Sequence, residues 1–177
     1  IEADGIKQVK LIDATPIGIN IRSTVATYAN IHDELRKIFA KLPQSKENKY
    51  KAGDFSYNTG KLRCSVCDGT GVINLDVQFL PDVEIPCPAG GGSRYSKIVE
   101  DIKYKGNSLA KLMSMDVNTA IDACDDLKSV QQRLQVLKDL GLGYLTLGEA
   151  TPSLSGGEAQ RLKLASEMRK AQLESVF

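Results

Sequence analysis

The 177-residue chain carries 23 Lys and Arg against 22 acids, so no bulk charge advertises a nucleic-acid or membrane partner. Hydrophobic content of 42% and charged content of 25% fit a globular protein with one core and room for a small appended module. No apolar run reaches the roughly 20 residues that span a bilayer, and no secretory signal opens the sequence, so a cytoplasmic protein is expected.

Residues 7–12, "KQVKLI", read as a short strand that Pro16 and Gly18 end. Between 28 and 42, Ile31, Leu35, Ile38, Phe39 and Leu42 fall on one helical face, with Pro43 closing the helix. Residues 43–60 are polar and read as a loop. From 73 to 79 apolar and polar residues alternate strictly, which predicts a half-buried strand. Pro81-Asp82 supplies a turn, and Val83 and Ile85 a short return strand. Helical patterns resume at 107–114 and 117–124. A longer helix follows, with Leu127, Val130, Leu134, Leu137 and Leu140 on one stripe and Gly141 as its stop. The last helix begins after Leu154. The start at Ile1 and the apolar end at Ser175-Val176-Phe177 lead us to expect a segment of a longer protein.

Four cysteines, two of them as Cys64-x-x-Cys67, point to metal or redox chemistry in a reducing compartment rather than to a disulfide framework. Two octads repeat: "CSVCDGTG" at 64–71 and "CPAGGGSR" at 87–94. Cys64 matches Cys87, Gly69 matches Gly92, and the place of Cys67 is filled by Gly90. A Cys-x-x-Cys-x-Gly knuckle brings two thiolates to one tetrahedral ion, the glycine permitting the tight turn beneath it. Two knuckles on the ends of a hairpin would make a four-thiolate zinc site. Glycine donates nothing, so Cys64, Cys67 and Cys87 remain as candidate ligands. Either they hold zinc more weakly, with water in the fourth position, or the site is empty and packing keeps the hairpin. A redox Cys-x-x-Cys is the rival reading, but the glycines and the partner knuckle fit metal better than a thioredoxin-like helix start. Cys124 shares an apolar stripe with Ile121 and reads as core. His32 sits beside the apolar face of its helix and reads as a surface or boundary residue.

Near the end, Ser155-Gly156-Gly157-Glu158 satisfies the Ser-x-x-Glu capping box ahead of Leu162, Leu164 and Ala165. Uncapped amides, two glycines and the positive end of the helix dipole can receive an anion. An ordinary capped helix is the simpler reading of the same residues.

"LSGGEAQRLKLA", 154–165, resembles the signature of the ABC ATPases. That resemblance implies that Ser155, Gly156, Gly157 and Glu158 close over ATP held by the phosphate loop of an opposing nucleotide-binding domain. A longer set of motifs is more specific: "GLGYLTLGEATPSLSGGEAQRLKLA", "FSYNTGKLRCSVCDGTG", "FLPDVEIPCPAGGGSRY", "IKYKG", "TPIG" and "RSTVATY". Together, from about residue 9 to 170, they resemble the second half of the A subunits of the bacterial UvrABC excinuclease. The resemblance implies an ABC ATPase that senses DNA damage in nucleotide excision repair, with zinc knuckles inserted between phosphate loop and signature. It further implies double-stranded DNA, a UvrB-like subunit and a second copy of the full-length protein as partners, with no membrane.

Four departures stand beside it. The nearest approach to a phosphate loop, "GDFSYNTGKL" at 53–62, has six residues between its glycines and Leu62 where a magnesium-binding hydroxyl belongs. The sequence also stops before any Asp-Glu-ending strand after the signature, so the segment alone is expected not to hydrolyse ATP. Ala14 stands in "DATP" where relatives usually carry a glutamine, and Gly90 lacks its thiolate. These last two keep open an antibiotic-resistance ATPase of the same build, and a zinc-knuckle protein-interaction module is a further alternative.

Duplex DNA damaged in chemically diverse ways is read through shape, with Lys and Arg on the phosphates. Candidates are Lys61, Arg63, Arg94, Lys97, Lys103 and Lys105, although six acids share the span 61–105 with these six bases. Tyr95 beside Arg94 reads as a packing residue. The expected architecture is α+β: a helical ABC signature domain, with an inserted small β-hairpin module resembling a zinc knuckle. Its parts are 1–60, the hairpin module at 61–105, and a helical subdomain at 106–177.

Overall fold

The computed structural model describes residues 11–75 and 83–174, and of 169–174 the backbone only. The described chain combines helices of 4 to 19 residues with two small antiparallel sheets. Its N-terminal helices are α1 (Val25–Tyr28), α2 (Ile31–Phe39) and α3 (Pro43–Glu47). A hairpin of β1 (Val72–Leu75) and β2 (Val83–Pro86) follows, in the register Val72 to Pro86 and Leu75 to Val83. A second, two-residue ladder joins β3 (Lys103–Tyr104) to β4 (Asn107–Ser108). Then come α4 (Leu109–Met113), α5 (Val117–Ala123), α6 (Lys128–Asp139) and α7 (Gly156–Glu174). No helix among the described residues is long and apolar enough to cross a membrane.

The helical stripes pack as their periodicity predicts. Ile31, Leu35 and Phe39 of α2 meet Val130, Leu134 and Leu137 of α6 in one core, all fully buried. Gly141 takes a left-handed φ of 74° after α6 and stops it. Cys124 lies in this core, 1% exposed, where burial raises its thiol pKa to about 11. Segment 142–151 threads through the middle. Val25 and Ala26 donate to the carbonyls of Glu149 and Leu147, and Gly148 donates to that of Met113. This strap, anchored by buried Leu142, Leu145 and Leu147, delivers the chain to the start of α7, whose Ala159, Leu162 and Ala165 face the core.

Four expectations need correction. Pro43 opens α3 instead of ending a helix, because the first helical position needs no N–H. Residues 43–60 are not an open loop: a 3-10 turn at Ala52–Phe55 leads into Tyr57, and Phe55 and Tyr57 are fully buried. The strand at 72–75 is not half-buried by alternation: its burial falls off along its length, and Leu75 and its partner Val83 are 41% and 45% exposed. Its expected continuation through 76–79, the Pro81-Asp82 turn and most of the 7–12 strand lie outside the described residues. The fourth correction is His32. It is 4% exposed, its ring tilted 40° against that of Tyr57 with centroids 4.7 Å apart, and its Nε2 is 2.6 Å from the Tyr95 hydroxyl.

Tyr95 donates its own proton to the Phe55 carbonyl at 3.0 Å. Its oxygen therefore accepts from His32, which fixes the Nε2–H tautomer of a neutral ring. Burial, then the nearby Arg36 charge, lowers the His32 pKa to about 3. Unfolded, the same ring titrates near its ordinary value, so between about pH 6.5 and 3 the unfolded chain binds the extra proton. Stability is thus complete above that window and falls as pH drops through it, with a slope of up to about 1.4 kcal/mol per pH unit. Denaturant melts of wild type and His32→Gln across pH 7 to 4 should show the variant with the flatter profile.

Candidate metal and signature sites

The two octads that repeat in sequence repeat in backbone. Asp68, Gly69 and Gly71 have φ of 49°, 77° and 83°, and their counterparts Gly91, Gly92 and Arg94 have 57°, 84° and 67°. The knuckles also exchange matching hydrogen bonds. Cys64 N–H donates to the Arg94 carbonyl at 2.9 Å, and Cys87 N–H to the Gly71 carbonyl at 2.9 Å. Within each knuckle, Thr70 N–H reaches the Cys67 carbonyl and Ser93 N–H the Gly90 carbonyl, both at 3.0 Å. A local pseudo-two-fold relates the pair, and it places Gly90 opposite Cys67.

Three thiols face one point. The sulfurs of Cys64, Cys67 and Cys87 lie within 4.8 Å of one another, with Cys64 and Cys87 3.8 Å apart. A zinc–sulfur bond of about 2.3 Å gives a tetrahedral edge of about 3.8 Å, so the spacing suits a common ion. The donor set fits three thiolates rather than four. Burial pushes the Cys67 thiol up, but the Gly71 N–H at 3.3 Å and the Cys64 side chain outweigh it, and the net displacement is downward. Cys87, also pushed up by burial, stays raised. Gly69 is forced by the fold, since a Cβ there would sit 1.8 Å from the Tyr57 carbonyl oxygen.

Of the basic candidates, Arg94 does not face outward. It is 9% exposed, lies 5.3 Å over the Tyr57 ring, and donates to the Ile21 carbonyl at 3.1 Å. Its guanidinium ties the second knuckle to the N-terminal segment, which its burial suits far better than a phosphate contact. Arg63, half-buried, pairs with Asp68 at 3.0 Å and reaches the Asn58 carbonyl. Lys105 pairs with Asp125 and Asp126. Lys61, Lys97 and Lys103 are exposed, with Lys103 beside Lys105 on the β3–β4 hairpin. Tyr95 packs as expected, 1% exposed, and burial raises its hydroxyl pKa well above the ordinary value. Arg22 was not a sequence candidate, yet it grips Asp68 at 2.9 Å from 46 residues away. Nothing local in the sequence signals that pair.

At the start of α7, Ser155, Gly156 and Gly157 are exposed. The capping box closes in both directions: Ser155 N–H donates to Glu158 Oε2 at 2.8 Å, and Glu158 N–H to Ser155 Oγ at 3.3 Å. Tyr144 hydroxyl also bonds the Glu158 carboxylate, and with the Ser155 N–H it holds that carboxyl below its usual range. Residues 12–15 lie against the same helix. Gln160 reaches the Ile12 carbonyl, and Lys163 Nζ contacts Asp13 Oδ1 at 2.7 Å and the Thr15 carbonyl at 2.7 Å. The Lys163 bond, then that from Thr15, lowers the Asp13 pKa to about 2. Ala14 therefore borders Gly156, whose added Cβ would meet the Ala14 carbonyl oxygen at 3.3 Å.

No protein-family model matches the chain. It is 44% identical to the UvrABC system protein A of Aquifex aeolicus over 167 residues, which is 94% of this chain and 18% of the relative. The Thermus thermophilus protein of the same name gives 44%, and that of Bacillus subtilis 42%, over the same shares. The crystal structure of UvrA2 from Deinococcus radiodurans superimposes with a TM-score of 0.83 at 42% identity, over 90% of this chain and 20% of that one. In sequence and in fold, the chain matches a segment of UvrA. It spans under a fifth of the length of the UvrA relatives named above. The α+β architecture and the clustered cysteines of this UvrA-like segment agree with the sequence expectation.

Because Arg94 joins ring, carbonyls and knuckle, Arg94→Ala in this UvrA-like segment should cost about 2–3 kcal/mol. The denaturant midpoint reports it, and a shift under about 0.5 kcal/mol would return Arg94 to the solvent-facing candidates.

Proposed function

We propose that this chain is the signature-bearing part of a UvrA-like ABC ATPase, a cytoplasmic protein of nucleotide excision repair that completes the opposing domain's ATP site in trans. One observation carries the reading: a UvrA-like segment presents its Ser-Gly-Gly helix start as an exposed, capped surface. ATP, when held on the opposing nucleotide-binding domain, brings the γ-phosphate whose transfer is the reaction. This chain's part is to donate hydrogen bonds. The Gly156 and Gly157 amides belong to the first turn, where no intrahelical acceptor exists. Ser155 Oγ accepts from Glu158 N–H, which leaves its own proton to point outward. Glu158 holds the Ser155 amide and is itself held by Tyr144, so the cap is rigid before nucleotide arrives. Glycine at 157 has no atom within 4 Å of its missing Cβ, leaving the backbone open to a close approach.

The same reading lays the segment along double-stranded DNA, in a homodimer of the full-length protein that hands lesions to a UvrB-like subunit. Phosphate contacts come from Lys61, Arg63, Lys103 and Lys105, and the bases are read through duplex deformability. The salt-bridged Arg63 and Lys105 can exchange carboxylate for phosphate, as exposed ion pairs contribute little to stability.

Two measurements test this. In the full-length protein, Ser155→Arg should lower kcat for ATP hydrolysis about 100-fold, the scale of a lost transition-state donor. Circular dichroism confirms the fold, and normal turnover in a folded variant removes Ser155 from the site. For DNA, binding of a distorted duplex should weaken with salt, and Lys61→Ala and Lys103→Ala should each reduce the log–log slope by about one. An unchanged slope takes those two lysines off the DNA path.

A further inference from the structure

The pseudo-two-fold of the knuckles shows what Gly90 leaves vacant. Cys67 Sγ accepts the Gly71 N–H at 3.3 Å; by the same symmetry Arg94 corresponds to Gly71, and Gly90, the counterpart of Cys67, has no side chain to accept from it. Backbone conformation does not demand glycine there, for Gly90 is absent from the left-handed residues that include Gly91 and Gly92. A Cβ on Gly90 would instead meet the Ser93 hydroxyl at 2.7 Å and the Tyr95 carbonyl oxygen at 3.1 Å. Ser93 has turned into the room that a fourth ligand's stem would use.

That room is reachable from outside. Two clefts, of about 570 and 460 Å³, are both lined by Gly90, Gly91, Ser93 and Glu100. One runs on between the second knuckle and α4, past Lys111; the other runs past Ser96 and Lys97. The thiols themselves are closed off, with Cys64, Cys67 and Cys87 at 4%, 6% and 1% exposure. Three donors are thus buried, and both clefts border Gly90, the residue at the fourth place.

We propose that Cys64, Cys67 and Cys87 hold a thiophilic divalent cation of the zinc class through three thiolates, and that its fourth position, on the Gly90 side, takes an exchangeable small donor from solution. Closed four-protein-ligand sites are structural, whereas sites with three protein ligands keep a position for water or a small molecule. The Ser93 hydroxyl lines the approach and bonds weakly to Tyr95, its contacts both 3.4 Å, so it yields readily. This site is independent of the nucleotide role assigned to the signature.

Cobalt(II) is the probe. The reduced, metal-free chain should take up one Co2+ with sulfur-to-metal charge-transfer absorption and the intense visible bands of four-coordinate geometry. Adding imidazole should shift those visible bands, since imidazole replaces the solvent ligand. In Gly90→Cys combined with Ser93→Ala, which removes the clash, the bands should ignore imidazole. Affinity for Co2+ should rise at least about tenfold, because even outer-shell changes move metal affinity by about 10–100-fold. Should the double variant fail to fold, the natural chain decides alone, with Cys64→Ser abolishing the charge-transfer band. Absence of that band at one equivalent of Co2+, or visible bands in the natural chain that ignore imidazole, overturns the proposal.

Discussion

The buried contact between His32 and Tyr95 ties the two kinds of structure in this chain together. Tyr95 ends the second knuckle, His32 belongs to α2, and Phe55, whose carbonyl takes the Tyr95 proton, closes the turn between them. Around this bond Tyr57 packs at a tilt against His32, meets Tyr95 edge-on at 5.9 Å, and carries the Arg94 guanidinium over its face. In this buried polar network one ring tautomer meets one hydroxyl, and that hydroxyl one carbonyl. The hairpin outside it has little packing of its own, with Leu75 and Val83 in solvent. The knuckles thus hold their orientation because Tyr95 and Arg94 are anchored in the helical core, not because their own sheet is stable.

Helical parts of the fold were legible in the sequence, and for a physical reason. A stripe such as Val130, Leu134 and Leu137 states both the element and the face it buries, and α6 follows it within a residue or two. Segment 43–60 hid its structure because its apolar residues, Tyr50, Phe55 and Tyr57, follow no helical or strand period. Phe55 and Tyr57 are buried, and Tyr50 partly so, by tertiary contact. His32 was misjudged on the same ground: its partner is 63 residues away, and a lone histidine at the margin of an apolar stripe carries no trace of it. The cysteine repeat was the opposite case. Its aligned glycines foretold the backbone, since Gly69 and Gly92 both need the left-handed region that other residues avoid.

What sequence could not supply at the signature was adjacency. Ala14 and Gly156 are 142 positions apart, yet Lys163 clamps the segment bearing Ala14 against α7 through Asp13 and Thr15. These ties lie at the surface and contribute modestly to stability. Their effect is positional: they fix a loop next to the helix start whose amides are exposed. The strap at 142–151 does the same from the core side, through Leu145 and Leu147.

The knuckles show how fold and chemistry set separate demands on the same short motif. Gly69 answers to the fold, because a side chain there would run into the Tyr57 carbonyl. Gly90 answers to neither backbone conformation nor backbone contact as tight as that, and a Cβ there needs only Ser93 to turn and a few tenths of an ångström from the Tyr95 carbonyl. A metal ligand can therefore be lost at 90 without disturbing the matched hydrogen bonds between the knuckles, which run through backbone atoms of Cys64, Gly71, Cys87 and Arg94. The anchoring of Tyr95 and Arg94 makes that loss tolerable. Since orientation comes from the helical core, the cation need not supply it, and three thiolates suffice to close the inner side of the site while leaving the outer side to solvent.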